Sequence, residues 1–330
     1  MVVAELPMII FTVVAQTSVG AFLALGAIQL AGAVKKIETP AVDRITNVAL
    51  YAVGPLLVFG FIAAFFHLAD PFHALNTMRH LQTSWLAREL LFGVFFGGFG
   101  ALFALTQWFG WLSRSLRNVL AVLAALSGVG LVFAMSMVYY SVETIPAWHH
   151  ISVPVFFFAT ALLLGPLAVA VVLLAVWNLS VEGRRGIFAR IARRGQQDGV
   201  APREDLLLLT RKSIQWLTVV AAAAGVVIFV TYPLYLLHLS TAGPTAAAVA
   251  DKLDGSFLFF RLALLGVAIV LAGGFAFLRA GVSEQPNKTL TVLIVAAFVL
   301  AFAAEIMGRN LHYVGLWHVG INTWQMYGGH

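Results

Sequence analysis

Eight long apolar runs limit the folds that are open to this sequence. A helix that crosses about 30 Å of hydrocarbon needs roughly 20 apolar residues. Runs of that length lie near 8–32, 45–66, 86–108, 117–139, 152–178, 212–237, 257–279 and 288–308. Charged residues make up only 10% of the chain, against about a quarter in a soluble domain, and the runs lack the polar and apolar alternation of membrane strands. The sequence predicts an all-α integral membrane protein, a bundle of eight transmembrane helices in a single polytopic domain over 1–330.

The basic residues are divided unequally between the two sides of this predicted bundle. Most lie in the segments after the first, third, fifth and seventh runs, and the other side holds only Arg79, Arg88, Lys252, Arg261 and Arg309. Basic segments stay on the cytoplasmic side of a membrane. Both termini are therefore expected on the outer side.

This orientation depends mainly on one basic loop, 179–211, which includes the sequence IFARIARR. Such a segment retains topology and attracts anionic lipid, and a protein-docking surface is the alternative. The topological bias also explains a basic pI without nucleic acid as a partner.

All nine histidines fall on the side opposite the basic loop, and none lies in the middle of a run. A b-type haem held between two helices needs histidines well inside the bilayer, so we expect no haem. The chain has no cysteine, which excludes an iron-sulfur cluster bound by its own cysteines and leaves no thiolate metal site.

The segment between the second and third runs carries the best candidates for chemistry. His67 ends the second run and Glu89 begins the third, so a helical hairpin would place both at a similar depth. A quinol that gives up two electrons also loses two protons, and histidine and a partly desolvated glutamate suit that task. The alternative is an interfacial histidine beside a glutamate that favours the start of a helix.

Other polar residues could border such a site. Asp70 and Pro71 have the pattern of a helix cap followed by a first helical position, which predicts a short helix from Pro71 to about His80. Near the end of the eighth run, Glu305 and Arg309 are four residues apart and are expected to pair on one face. The candidates for the border of the site are Asp70, His73, Arg79, His80, Glu305 and Arg309.

Several motifs resemble the membrane-anchor subunits of dimethyl sulfoxide reductase-type molybdoenzyme complexes, including their sulfite dehydrogenase branch. They are ELPMIIFTVVAQ at the start, HLADPFHALN before Glu89, SVETIPAW before the fifth run, GPL at 165–167 and EIMGR in the eighth. Their order and spacing extend over nearly the whole sequence. The segment 179–211 and the tail after Arg309 are longer than in compact members, which leaves the terminal substrate and the direction of electron flow open.

The resemblance implies a multi-pass subunit of the bacterial cytoplasmic membrane. Such a protein lacks haem and exchanges electrons between menaquinone or ubiquinone and an iron-sulfur subunit, which is joined to a molybdopterin catalytic subunit. It also implies that His67 and Glu89 serve the quinone site. Two alternatives are a small-solute transporter, which would favour discontinuous helices and polar groups near the bilayer midplane, and a passive membrane tether.

Overall fold

Long helices account for nearly all of the described residues. The computed structural model describes residues 5–34, 71–181 and 203–317. Within these ranges, seven helices are long and apolar enough to cross a membrane. They confirm seven of the eight predicted spans, and the span predicted at 45–66 lies outside the described residues.

The helices follow the sequence in order, with a 3-10 helix at Pro71–His80 before the second of them. Their bounds are α1 Leu6–Val34, α2 Trp85–Phe109, α3 Arg114–Tyr140, α4 Ser152–Val181, α5 Arg203–Thr241, the short α6 Pro244–Leu253, α7 Ser256–Val282 and α8 Lys288–Val314. The predicted short helix at 71–80 is confirmed, although its form is 3-10 rather than α.

Two predicted boundaries were wrong at the ends that carry charge. The helix α5 begins at Arg203 rather than near 212, so the last part of the predicted loop 179–211 is helical. The helix α8 continues to Val314 rather than ending near 308. Charged side chains do not end a membrane helix when they reach the interface or find buried partners.

Local sequence explains several helix ends. The side chains of Ser84, Ser113 and Asn287 accept hydrogen bonds from backbone amides at the starts of α2, α3 and α8. At the other end of α2, Gly110 adopts the left-handed conformation at φ 69°, which glycine favours at a helix terminus. These ends produce the tight α2–α3 hairpin.

The helix α4 lies at the centre of the bundle and packs against α1, α3, α5 and α8. The closest approach is between α1 and α4. A side chain at Gly20 would overlap the carbonyl of Ala161, and one at Gly165 would overlap the backbone of Gly20. Small residues of this kind let membrane helices approach closely.

One helix changes its geometry partway along. The segment Val270–Ala276 of α7 forms a π-helix between the α-helical stretches on either side. There Gly273 lies against Ala222 of α5, so that a side chain at this glycine would overlap the alanine. The π-helical turn brings α7 into contact with α5 along this stretch.

Three described histidines lie at one end of the bundle: His150 in the loop before α4, and His238 and His312 near the ends of α5 and α8. His150 stacks on His238 with ring centroids 4.3 Å apart, and the ring of Trp148 stacks on that of His312. The beginning of α1 lies at the same end, since Glu5 is close enough to Tyr313 for an electrostatic interaction. This end of the bundle positions the candidate site.

Candidate functional site

A cluster of polar side chains is buried among four helices near the histidine-bearing end of the bundle. This polar cluster consists of Gln16 on α1, Thr160 on α4, Arg261 on α7, and Glu305 and Arg309 on α8, each at most 5% exposed. Glu305 lies nine residues before the end of α8, or about 13 Å along the helix at 1.5 Å per residue. Charges at such a depth require partners.

An ion pair between two helices forms the centre of the polar cluster. Arg261 Nη2 lies 3.5 Å from Glu305 Oε1, and the Arg261 Nε donates to the carbonyl of Ala304 at 3.3 Å. The Thr160 hydroxyl donates to the other carboxylate oxygen of Glu305 at 2.5 Å. A side chain at Gly308 would come within 2.5 Å of Arg261, so a residue without a side chain leaves room for the guanidinium.

Arg309 has different partners from those predicted. Its Nη2 donates to Gln16 Oε1 at 3.0 Å, and its Cζ lies 3.8 Å above the centre of the Phe157 ring. The predicted pairing of Glu305 with Arg309 is therefore wrong. Arg261 reaches Glu305 from α7, while Arg309 is directed toward α1.

Aromatic side chains form a wall beside the polar cluster. The hydroxyls of Tyr139 and Tyr313 share a hydrogen bond of 2.6 Å. The indole N–H of Trp148 donates to the carbonyl of His312 at 2.9 Å, and the His312 ring also meets Tyr139 edge-on at 4.5 Å. Trp148 therefore fastens the 141–151 loop to the end of α8.

Glu89 is buried in the bundle, as the predicted site requires. It is the fifth residue of α2 and is 7% exposed. Its carboxyl group is close enough to both Tyr139 and Tyr313 to interact with them electrostatically. Arg309 also interacts electrostatically with both tyrosine hydroxyls.

Of the remaining predicted site residues, the structure describes the side chains of only Arg79 and His80, and these lie outside this arrangement. Arg79 and His80 are exposed on the 3-10 helix. His73 lies in the same helix, but its side chain is not described, and His67 and Asp70 lie outside the described residues. Their roles at the site remain predictions.

A small cavity lies among the charged residues. It has a volume of about 30 Å³, and Thr160, Arg261, Glu305, Arg309 and His312 are among the residues that line it. Three buried nitrogens of these residues have no partner among the residues that the structure describes: Arg261 Nη1, Arg309 Nε and His312 Nε2. Pockets for organic ligands usually enclose about 300–1,000 Å³, so this cavity suits a water-sized group and is too small for a quinone ring.

The described residues offer no metal site. No group of three or more histidine, aspartate or glutamate side chains in 5–34, 71–181 or 203–317 is placed to hold a metal ion. At the surface, His150 and His238 stack on each other, and burial and then His238 lower the pKa of His150.

Several members of the arrangement were missed in the sequence. Gln16 and Arg261 each lie within a predicted apolar run, and polar groups at such positions are usually functional or paired. That signal was present, but Arg261 was treated only as a topological charge. Local sequence does not indicate that Tyr139 and Tyr313 pair, because they are 174 residues apart.

The sequence is similar to one protein family and to individual chains of two kinds of enzyme. The family model described as DMSO reductase anchor subunit (DmsC) matches residues 1–316. One chain of the anaerobic dimethyl sulfoxide reductase of Escherichia coli (strain K12) is 30% identical over 313 residues, which cover 94% of each protein. The corresponding chain of the Haemophilus influenzae enzyme is 31% identical over 49% of this sequence and 56% of its own. One subunit of the sulfite dehydrogenase of Allochromatium vinosum is 30% identical over 30% of this sequence and 35% of its own.

Proposed function

Because the chain belongs to the DMSO reductase anchor subunit family, we propose that it exchanges electrons between the membrane quinone pool and an iron-sulfur partner subunit. That partner is joined to a molybdopterin catalytic subunit, where the terminal substrate is bound. The protein itself is a multi-pass membrane anchor of this type. Its family favours this function over that of a small-solute transporter.

The observation that carries the proposal is the burial of Glu89 beside the tyrosine pair. Oxidation of a quinol releases two protons, and a group at the depth of the quinol oxygens must accept them. A carboxylate in a largely apolar environment is a suitable proton acceptor. Glu89 is 7% exposed and lies about one turn from the start of α2, so a proton bound there has a short path to the aqueous surface.

His67 is proposed as the second proton acceptor. The hairpin predicted between the second and third runs places it at the level of Glu89, and an imidazole titrates near neutral pH. The quinone ring would then lie between these two residues, with the 3-10 helix Pro71–His80 as the cover of the site. His73, Arg79, His80 and Asp70 belong to or adjoin this cover.

The polar cluster is proposed to position the site rather than to bind the ring. Glu305 and Arg309 connect α8 to α7 and α1, and α8 supplies Tyr313 and His312 one turn further on. The hydroxyls of Tyr139 and Tyr313 hydrogen-bond to each other and interact electrostatically with both Glu89 and Arg309. Glu305 and Arg309 thus border the site indirectly, because they position Tyr313. The iron-sulfur partner is proposed to dock at the same histidine-bearing end.

The test uses the complete complex in native membranes. We expect Glu89→Gln to lower quinol-dependent turnover by roughly 100-fold or more, the usual contribution of a general base. Activity with an artificial electron donor that reduces the catalytic subunit directly should stay unchanged. Glu143→Gln is the matched control, because Glu143 is an exposed carboxyl group at the same end of the bundle.

The outcomes separate the proposed function from its alternatives. His67→Gln is expected to give the same selective loss, with all subunits still purified together. Full quinol turnover in both variants would contradict the assignment of these residues. A complex that assembles but never reacts with quinol, even as wild type, would identify a passive tether.

A further inference from the structure

A long apolar groove lies on the surface of the bundle, between α1 and α5. Both helices pack along α4 but have few contacts with each other. The resulting space, named here the α1–α5 groove, has a volume of about 830 Å³. It runs from Gly20 to Ala31 on α1 and from Leu208 to Val220 on α5, with Leu162 and Pro166 of α4 as its floor.

The dimensions of the groove match one leaflet of a bilayer. Twelve residues of helix correspond to about 18 Å at 1.5 Å per residue, which is somewhat more than half of the ~30 Å hydrocarbon layer. The groove also lies toward the end of the bundle opposite the polar cluster, since α1 ends and α5 begins there. An extended acyl group of one leaflet has this length and chemistry.

Among the residues that the structure describes, none covers the rim of the groove. Leu30 is 67% exposed on the α1 side and Trp216 is 65% exposed on the α5 side. Large apolar side chains with this exposure are in contact with lipid in a membrane protein. An acyl group therefore has access to the groove from the side, without passing through the bundle.

Among the described residues that line this largely apolar groove, Lys212 carries the one charge. Lys212 is exposed, and its Nζ lies 3.3 Å from the amide oxygen of Gln215. The neighbouring Arg211 is engaged differently, because its guanidinium donates to the carbonyls of Ala280 and Gly281. Lys212 lies one turn after Leu208, the first groove residue on α5, near the end of the bundle where α5 begins. Its flexible side chain can leave Gln215 and turn toward the lipid head groups.

We propose that the α1–α5 groove binds an acidic phospholipid, with one acyl group between the helices and the phosphate at Lys212. The apolar lining provides affinity for the acyl group, and the ammonium group selects a negatively charged head group. A quinone carbonyl can accept a hydrogen bond from Lys212, but it carries no negative charge to attract the ammonium group. The site is separate from Glu89 and does not depend on the proposed quinone chemistry.

The first test measures the lipid retained by the complete purified complex. Complex extracted from membranes that contain phosphatidylglycerol and phosphatidylethanolamine is washed with detergent, and bound lipid is quantified by mass spectrometry. We expect Lys212→Gln to reduce bound phosphatidylglycerol relative to phosphatidylethanolamine about fivefold, the effect of ~1 kcal/mol per basic residue. Lys288→Gln, which removes an exposed lysine at the same end of the bundle, should leave that ratio unchanged.

The second test fills the groove while keeping its charge. Ala27→Phe places a ring inside the groove, whereas Gly26→Phe places one beside it, at a position with open space. The first variant should lose bound phosphatidylglycerol, and the second should retain it. Equal retention in both variants, loss of quinone instead of phospholipid, or a cross-link from Ala27→Cys to residues 45–66 would overturn the proposal.

Discussion

Breaking the Arg261–Glu305 ion pair one residue at a time tests whether its charges, rather than its shape, hold α7 against α8. The two side chains are 2% and 4% exposed. Removal of one leaves the other charged in a largely apolar environment, which usually costs about 3–5 kcal/mol of the free energy of unfolding. At 3.5 Å, an effective dielectric constant of about 20 gives a Coulomb attraction of about 5 kcal/mol. The Coulomb attraction and the expected loss of stability are therefore of similar size.

The two single variants should lose different amounts of the free energy of unfolding. In Glu305→Leu the guanidinium of Arg261 stays charged, because arginine does not lose its proton in proteins. In Arg261→Met the carboxyl of Glu305 keeps Thr160 as its hydrogen-bond partner. We therefore expect a loss of about 3–5 kcal/mol for the first variant and a smaller loss for the second.

The double variant Arg261→Met/Glu305→Leu decides the question. Replacement of a buried pair by apolar residues of similar volume is often neutral or stabilising, so the double variant should recover most of the stability lost in Glu305→Leu. The measurement is unfolding in mixed detergent micelles followed by tryptophan fluorescence, with the exposed Glu284→Gln as control. A double variant as unstable as Glu305→Leu would refute the reasoning and attribute the loss to packing.

Three further outcomes are expected. Gly20→Ala should lower the thermal midpoint of the purified complex sharply, since the new methyl group overlaps the carbonyl of Ala161, whereas Gly26→Ala, with open space around it, should be neutral; equal midpoints would contradict the close helix contact. Because burial and His238 hold the pKa of His150 below its unfolded value, stability should be complete above about pH 6.5 and fall as the pH drops below it. Thermal scans between pH 5 and 8 should show a smaller loss of stability at low pH in His150→Phe than in the wild-type protein. Optical spectra of the reduced protein should contain no haem bands, and a bis-histidine spectrum from this protein would show the cofactor prediction to be wrong.

The sequence was most informative where a single helix decides the answer. Apolar runs placed seven spans to within a few residues at most ends, because the length needed to cross a membrane is a property of one segment. The Asp70-Pro71 pattern likewise located the short helix Pro71–His80. Both inferences use only residues that are close together in the sequence.

Contacts between helices were not predictable in this way. The spacing of Glu305 and Arg309 suggested a pair within α8, but the actual partner of Glu305 is 44 residues away on α7. Arg309 hydrogen-bonds to Gln16, which is 293 residues away in the sequence, and no local pattern indicates this contact. The position of Glu89 at the start of a span suggested a partly desolvated carboxyl group, whereas its tyrosine neighbours depend on how three helices come together.

The contact between Gly20 and Gly165 sets an order of events during synthesis. At roughly 5–20 residues per second, the ribosome needs about 7–30 s to extend the polypeptide from one glycine to the other. During that interval α1 spans the membrane without the helix that later covers it, and Gln16 has no access to Arg309, which is made later still. The first helix must therefore be apolar enough to remain inserted alone, as its 27-residue span is. The nearly uniform hydrophobicity of α1 keeps this helix in the membrane before its partners are synthesised, and it also suits the helix to the completed bundle.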